Sequence, residues 1–309
     1  MPTTQVPIHS DQSVRLSSRF GIPLREDVAF TNRKGIEKTS IRKRAEKALD
    51  KLQEPLRKLL EPDEAVLYIA RADLLPGAFE QFFLGWYAAY LSPATLVLTN
   101  RRILYLSVKR NGSWNRGVRS TRWGDLEDAK VKGLLSAKLH IKYRSGKKEV
   151  YWRLRGDDGK KIRLLLGVLL PAGVGETSPA LSMVSLCPEC RAALAPQVYE
   201  CPGCRLKFKD EKTLLWRSLL IPGGGFFYTG HPAVGTFHCV ADLGLLWEVV
   251  VWGAAAIGLW SLPAAPGQNP VSRDEALITL GILVVLLALH KGAITRITRN
   301  LVRNFIPAS

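Results

Sequence analysis

The sequence predicts an α+β soluble part followed by an apolar, helical end, and three observations carry that division. Over residues 62–170 the apolar side chains recur with a period of two, are broken by turn signals, and give way to a closing helical run. Between 187 and 204, four of the five cysteines fall in two C-x-x-C pairs. Beyond 214 come two apolar runs close to the length that crosses a bilayer. The chain has 309 residues, enough for two or three domains. Its 44 Lys and Arg against 27 Asp and Glu leave a net charge of +17, which favours an anionic neighbour such as nucleic acid or anionic lipid.

Residues 1–35 are polar, without periodicity, and are expected to be disordered. No apolar stretch typical of a cleavable signal peptide stands there. Segment 36–61 reads as an amphipathic helix. Ile41, Ala45, Leu49, Leu52, Leu56 and Leu59 share one face, and Arg42, Lys43, Lys47 and Lys51 lie opposite. Thr39 or Ser40 is placed to cap it, and Pro55 to kink or break it. Such a helix either packs on the next domain or lies on lipid.

In 62–170, EAVLYIA, ATLVLTNRRILYLSV and KLHIKYRSGKKEVYWRLR are strand-like. The last contains a hairpin: Leu139, Ile141 and Tyr143 alternate, the chain turns at Ser145-Gly146, and Val150, Trp152 and Leu154 alternate again. Asp157 and Asp158 then precede KKIRLLLGVLL, as caps of a closing helix. The phrase LVLTNRRILYL, followed by TRWGDLEDAKV, the hairpin and that helix, resembles the bacterial pleckstrin-homology-like (GRAM-related) family. The resemblance implies a seven-stranded half-open β-barrel plugged by a C-terminal helix, and no enzymatic activity. It also implies a short turn between the first two strands. Here that turn holds LLPGAFEQFFLGWYAAYLSP, without a single Lys or Arg, so it lacks the basic residues with which the eukaryotic domains bind inositol phosphates in this loop. Phe79, Phe82, Phe83, Trp86, Tyr87 and Tyr90 would form one stripe of an α-helix, placed against the domain, against a partner or at a membrane interface.

A Pro/Gly/Ser linker, 171–185, leads to the segment 186–210, CPECRAALAPQVYECPGC with its flanks. Cys187, Cys190, Cys201 and Cys204 have the spacing of a closed tetrahedral thiolate site for structural Zn²⁺. They resemble the short zinc-ribbon family, except that Arg191 and Arg205 stand where such knuckles often carry Gly. No βαβ pattern accompanies them, which argues against a redox motif.

In the third part, 211–295, PGGGFFYTGHPAVG precedes the runs 243–262 and 276–289 and resembles a family of small proteins built on a two-helix transmembrane hairpin. Basic residues flank the pair on the outside while its turn is nearly neutral. The positive-inside rule then places both termini in the cytoplasm, in a multi-pass protein of the cell membrane. Glu248 interrupts the first run, and in an antiparallel hairpin it lies level with His290 and Lys291, about 21 Å from the turn. It is therefore expected to pair with one of them or to snorkel. The tail 296–309 reads as a basic interfacial helix, with Arg299 and Arg303 toward anionic headgroups.

No catalytic motif is present: no H-E-x-x-H, G-x-S-x-G, P-loop or G-x-G-x-x-G follows the required context. The residues point to a non-catalytic, membrane-anchored adaptor that binds lipid headgroups, a protein partner or both. A membrane-tethered nucleic-acid binder is the first alternative and an enzyme without a known signature the second.

Overall fold

The computed structural model describes residues 19–133, 136–172, 177–261, 271–303 and 305–308, except for the side chains of Trp86, Ala89 and Ala172. They fall into two compact units, one comprising the chain to Phe208 with its last three positions and the other Lys209–Ile306.

The first unit is built on an open antiparallel sheet. Strands β1 (Val66–Leu74), β2 (Pro93–Thr99), β3 (Arg102–Val108), β4 (Trp114–Arg122), β5 (Leu126–Lys132), β6 (Ser136–Tyr143) and β7 (Lys148–Arg155) equal in number the seven strands that the family resemblance implies. Short strands β8 (Val184–Leu186) and β9 (Ala193–Leu194) extend the sheet, in the order β5-β6-β7-β1-β2-β3-β4-β8-β9. Helix α4 (Gly156–Ala172) packs Ile162, Leu165, Leu166 and Leu169 on the face that carries Tyr68, Leu96, Leu139, Tyr143 and Tyr151. The opposite face, with Val66, Ile69, Val97, Leu104 and Leu106, is covered by helix α2 (Thr39–Leu59) through Ala45, Leu49, Leu52, Leu56 and Leu59. Both faces of the central strands are therefore buried, which is why their apolar residues run almost without interruption.

Two expectations fail in this unit. Residues 19–35 are ordered: Phe20, Ile22, Leu24, Ala29 and Phe30 are buried beside α2, around the single-turn helix α1 (Glu26–Ala29). The polar composition concealed these five apolar anchors. Helix α2 also passes through Pro55 without ending and starts after Lys38 with no side-chain cap. Pro55 is itself buried on the apolar face, where packing sustains the helix despite the missing N–H.

The phrase TNRR is explained by its hydrogen bonds. Asn100 ties the β2–β3 turn to the entry of β1, accepting from Ala65 N at 2.8 Å and donating to Asp63 O at 3.0 Å. Arg102, buried, forks onto Glu64 at 2.9 and 2.8 Å, and Thr99 donates to the same carboxylate at 2.7 Å. The Trp123 indole donates to Thr99 O at 3.1 Å, joining the WGD turn to this cluster. A planar guanidinium matches a carboxylate in two parallel bonds, which Lys could not reproduce.

A second buried cluster pins β6 and β7. Glu149 accepts from Tyr151 at 2.6 Å, Tyr143 at 3.0 Å and Arg119 at 3.2 Å, and pairs with Lys147 at 3.1 Å. Burial alone would raise this carboxyl, but Arg119, the Tyr151 hydroxyl and Lys147 outweigh it and hold the group down at about 2. The folded value lies below the ordinary 4.5, so this stabilisation is complete above pH 4.5 and disappears as the pH falls toward 2. It amounts to about 3 kcal/mol. Acid unfolding followed by tryptophan fluorescence should therefore be steep in that window and flatter in Glu149→Gln. Superimposable acid limbs would exclude this role.

The second unit is helical: α5 (Glu211–Leu220), α6 (Gly224–Thr229), α7 (Pro232–Ala256) and α8 (Arg273–Val302). Helices α7 and α8 are long and apolar enough to cross a membrane. They are shifted from the expected runs. Helix α7 begins about three turns earlier and ends at Ala256, where Gly258 takes φ +77°. Helix α8 continues into the supposed tail as far as Val302. Ile294, Ile297, Leu301 and Phe305 are buried within the unit, so that face is not free for lipid. At the end of the chain, Ala308 N donates to Lys207 O at 3.0 Å, within the first unit.

Candidate metal centre and apolar hairpin

The two C-x-x-C segments fold as equivalent knuckles. In the first, Cys187 N donates to Ala192 O at 2.9 Å and Arg191 N to Cys187 O at 3.0 Å. In the second, Cys201 N donates to Leu206 O and Arg205 N to Cys201 O, both at 2.9 Å. A turn this tight needs a left-handed residue after the second cysteine. Arg191 and Arg205 supply it, with φ of +64° and +59°. This is the conformation Gly adopts without cost, and a residue with a Cβ pays about 1–2 kcal/mol for it. Arg191 has a compensating contact, since its guanidinium donates to Leu60 O at 3.3 Å. The first knuckle is further held through Glu189, which pairs with Arg116 at 2.6 Å and Lys58 at 3.6 Å.

The knuckles bring all four sulfur atoms together, within 4.8 Å of one another. Cys187 Sγ lies 3.5 Å from Cys204 Sγ, and Cys190 Sγ lies 3.4 Å from Cys201 Sγ. Tetrahedral thiolate coordination at 2.3 Å requires edges of about 3.8 Å, so the set could hold a metal ion. Burial pushes the Cys187 thiol up to about 12. Burial also opposes ionisation of Cys201, but backbone N–H groups of Cys204 and Gly203 outweigh it and hold that thiol down at about 7. A Cβ at Gly203 would lie 3.2 Å from Cys190 Sγ, leaving little room for any larger residue beside the sulfurs.

The aromatic stretch 79–90 is not one stripe. Helix α3 (Ala78–Leu84) stops at Gly85, whose φ is +54°, and a 3₁₀ segment (Gly85–Tyr90) follows. The change of period rotates the later rings away from the first three. Phe79 and Phe83 stack at 6.2 Å, Phe82 is 89% exposed, and Tyr87 is half-buried. Tyr90 lies under two guanidinium groups, Arg110 at 5.0 Å and Arg153 at 5.8 Å. The Trp86 side chain is outside the described residues.

In the second unit, the expected partner of His290 and Lys291 is wrong. Glu248 accepts from Trp252 Nε1 at 3.2 Å, one turn along its own helix. The carboxylate that meets Lys291 is Asp242, fully buried, at 2.8 Å, with His290 Nε2 at 3.3 Å from its other oxygen. Asp242 also accepts from Gly223 N at 2.8 Å, and Lys291 reaches Ile221 O at 3.4 Å. The PGGG motif is thus a packing device. At Gly223, with φ +65°, a Cβ would come within 2.1 Å of Gly235 O, and at Gly224 within 2.2 Å of Arg217 O. Asp242 escaped sequence reasoning because it stands one residue before the apolar run and no local motif links it to Lys291. Arg299 and Arg303, expected to face headgroups, each pair with Glu211, at 3.0 and 2.9 Å.

Comparison with known proteins places a family on part of the chain. Residues 60–153 match the family described as bacterial PH domain. The crystal structure of the C-terminal domain of an unknown protein from Leishmania infantum is similar at 12% identity, over 37% of this chain and 91% of that one, with a TM-score of 0.26. No curated protein matches the chain.

Proposed function

We propose that the protein is a non-catalytic, membrane-anchored adaptor, in which a pleckstrin-homology-like domain and a zinc ribbon are tethered to the cytoplasmic face of the cell membrane by the α7–α8 hairpin. The observation that carries this reading is the exposure of the hairpin. Phe237, Val240, Leu243, Trp247 and Val250 on α7, with Ile278, Ile282, Val285 and Leu289 on α8, are more than half exposed. Soluble monomers rarely leave a continuous apolar patch larger than a few hundred Å² open to water, and a bilayer would cover this one. The ribbon's four thiolates leave no coordination position for substrate, so its Zn²⁺ would be structural: Cys187, Cys190, Cys201 and Cys204 hold it, and it holds the knuckles. The basic flanks of the hairpin support cytoplasmic termini. The adaptor's partners would be anionic lipid headgroups, a protein or both.

Alkaline carbonate extraction of membranes from cells expressing the full chain tests the anchor. The protein should remain in the pellet. Release into the wash would leave the hairpin a peripheral or protein-bound pair, and would bring nucleic acid forward as the target of the positive charge.

A further inference from the structure

Strands β1 and β7 pair only at Asp73–Trp152 and Leu74–Tyr151, and below that point they diverge. The gap is roofed by α2 and closed at one end by the β3–β4 turn, leaving a cavity of about 490 Å³. Seven cationic side chains line it: Arg44, Lys47 and Lys51 from α2, Arg71 from β1, Arg110 from the turn, and Arg153 and Arg155 from β7. The one acidic group in the lining, Asp158, is already engaged by Tyr68 Oη at 2.8 Å and Arg44 at 3.2 Å. Among the described residues Lys47, Arg71, Arg110 and Arg155 have no carboxylate partner. The floor is apolar, made of Ala45, Ile69 and Ala70.

Like charges gathered in one hollow repel, most strongly where they approach within the screening length of about 8 Å at physiological ionic strength. The pairs Arg44–Asp158 and Arg153–Asp73, the latter at 3.3 Å, offset only part of this repulsion, and a bound anion would offset the rest. Guanidinium groups on two strands and a turn, with ammonium groups from the facing helix, suit an anion with several oxygens, since each guanidinium presents paired N–H donors to a phosphate. We propose that this cavity is a binding site for a phosphate-bearing ligand, formed jointly by α2 and the diverging β1 and β7. Helix α2 lies outside the matched 60–153 segment, and the β1–β2 loop contributes nothing to the lining. The site is thus a feature of this chain's added helix. It rests on the adaptor reading only for the source of the phosphate, which is either a phospholipid headgroup or a small soluble molecule.

Amine-reactive footprinting of the full chain separates these sources. Lys47 and Lys51 report on the cavity, and Lys130 and Lys138, on distant strands, serve as controls. With the chain in phosphatidylcholine nanodiscs, millimolar pyrophosphate should slow labelling of the two cavity lysines and leave the controls unchanged. If it does not, discs containing phosphatidylglycerol should produce the protection, identifying a headgroup as the source. The variant Arg71→Gln/Arg155→Gln keeps both reporters and removes exposed groups without carboxylate partners. It should raise the half-protecting concentration by at least about tenfold. No protection in either arm, equal protection of the control lysines, or protection unchanged in the variant would overturn the proposal. The pyrophosphate arm can be run on the chain in solution if it does not enter discs, so failure of the anchor and failure of the site give different results.

Discussion

Replacing Cys187 and Cys201 together with Ser should abolish metal binding and unfold the segment from 187 to 208 while the sheet of seven strands stays folded. The two knuckles have almost no apolar core of their own. Their order comes from four sulfur atoms within 4.8 Å, from backbone bonds around each turn, and from the docking of Arg191 and Glu189. In small zinc domains the metal contributes about 10–16 kcal/mol, which is nearly the whole folding energy. Two left-handed arginines add about 2–4 kcal/mol of backbone cost that must be met from that source. The expected observations are one Zn²⁺ per chain by elemental analysis of the wild type, near zero in the double variant, and new tryptic cuts at Arg191, Arg205 and Lys207 after chelation. A cobalt-substituted chain should show the intense thiolate-to-metal absorption of a tetrahedral site. A wild-type chain that carries no metal and resists trypsin equally with and without chelator would defeat the zinc reading.

The second large effect belongs to Asp242. Its carboxylate joins three elements by accepting from Gly223 N and pairing with Lys291 and His290. Asp242→Ala leaves a buried ammonium whose one remaining acceptor among the described residues is Ile221 O at 3.4 Å, and it also leaves the Gly223 N–H without its acceptor. Breaking a buried pair from one side costs about 3–5 kcal/mol, whereas replacing both partners with apolar residues is often neutral. Unfolding of the purified chain in mixed micelles by increasing SDS fraction should show a large loss for Asp242→Ala and substantial recovery in Asp242→Leu/Lys291→Met. Glu248→Ala should change stability by no more than about 0.5 kcal/mol, because it removes only one exposed contact. Equal effects for Asp242 and Glu248 would show that the buried pair does not organise the hairpin.

Much of this architecture was legible in the residues. Alternation marked β5 and β6, which have one apolar face, near-continuous apolar runs marked the central strands, and Ser145-Gly146 marked the hairpin because its turn needs φ +83° at Gly146. Cysteine spacing located the candidate metal centre, since two short turns suffice to bring four sulfur atoms together. Features that depend on distant pairing were not legible. Phe20 and Ile22 are buried only because α2 and the sheet are present to receive them. Asp242 has meaning only beside Lys291, which is 49 positions away in sequence. Gly85 could have warned that the aromatic stripe would break, because a glycine in mid-helix is a common stopping point. The basic cavity escaped for the same reason as Asp242: its seven cations come from four separate elements and share no motif.

The join between β4 and β8 has one further consequence. Val118, Arg119 and Ser120 pair with Leu186, Ser185 and Val184, so the strand that leads into the first knuckle completes the border of the main sheet. Beyond it only the two-residue β9 remains, too short to template another chain. If the knuckles come apart, the β4 border is left open, with a ready row of unsatisfied N–H and C=O groups. A metal held by the four cysteines would therefore guard against self-association: under chelation, aggregation seeded at β4 should set in while the remaining strands are still native.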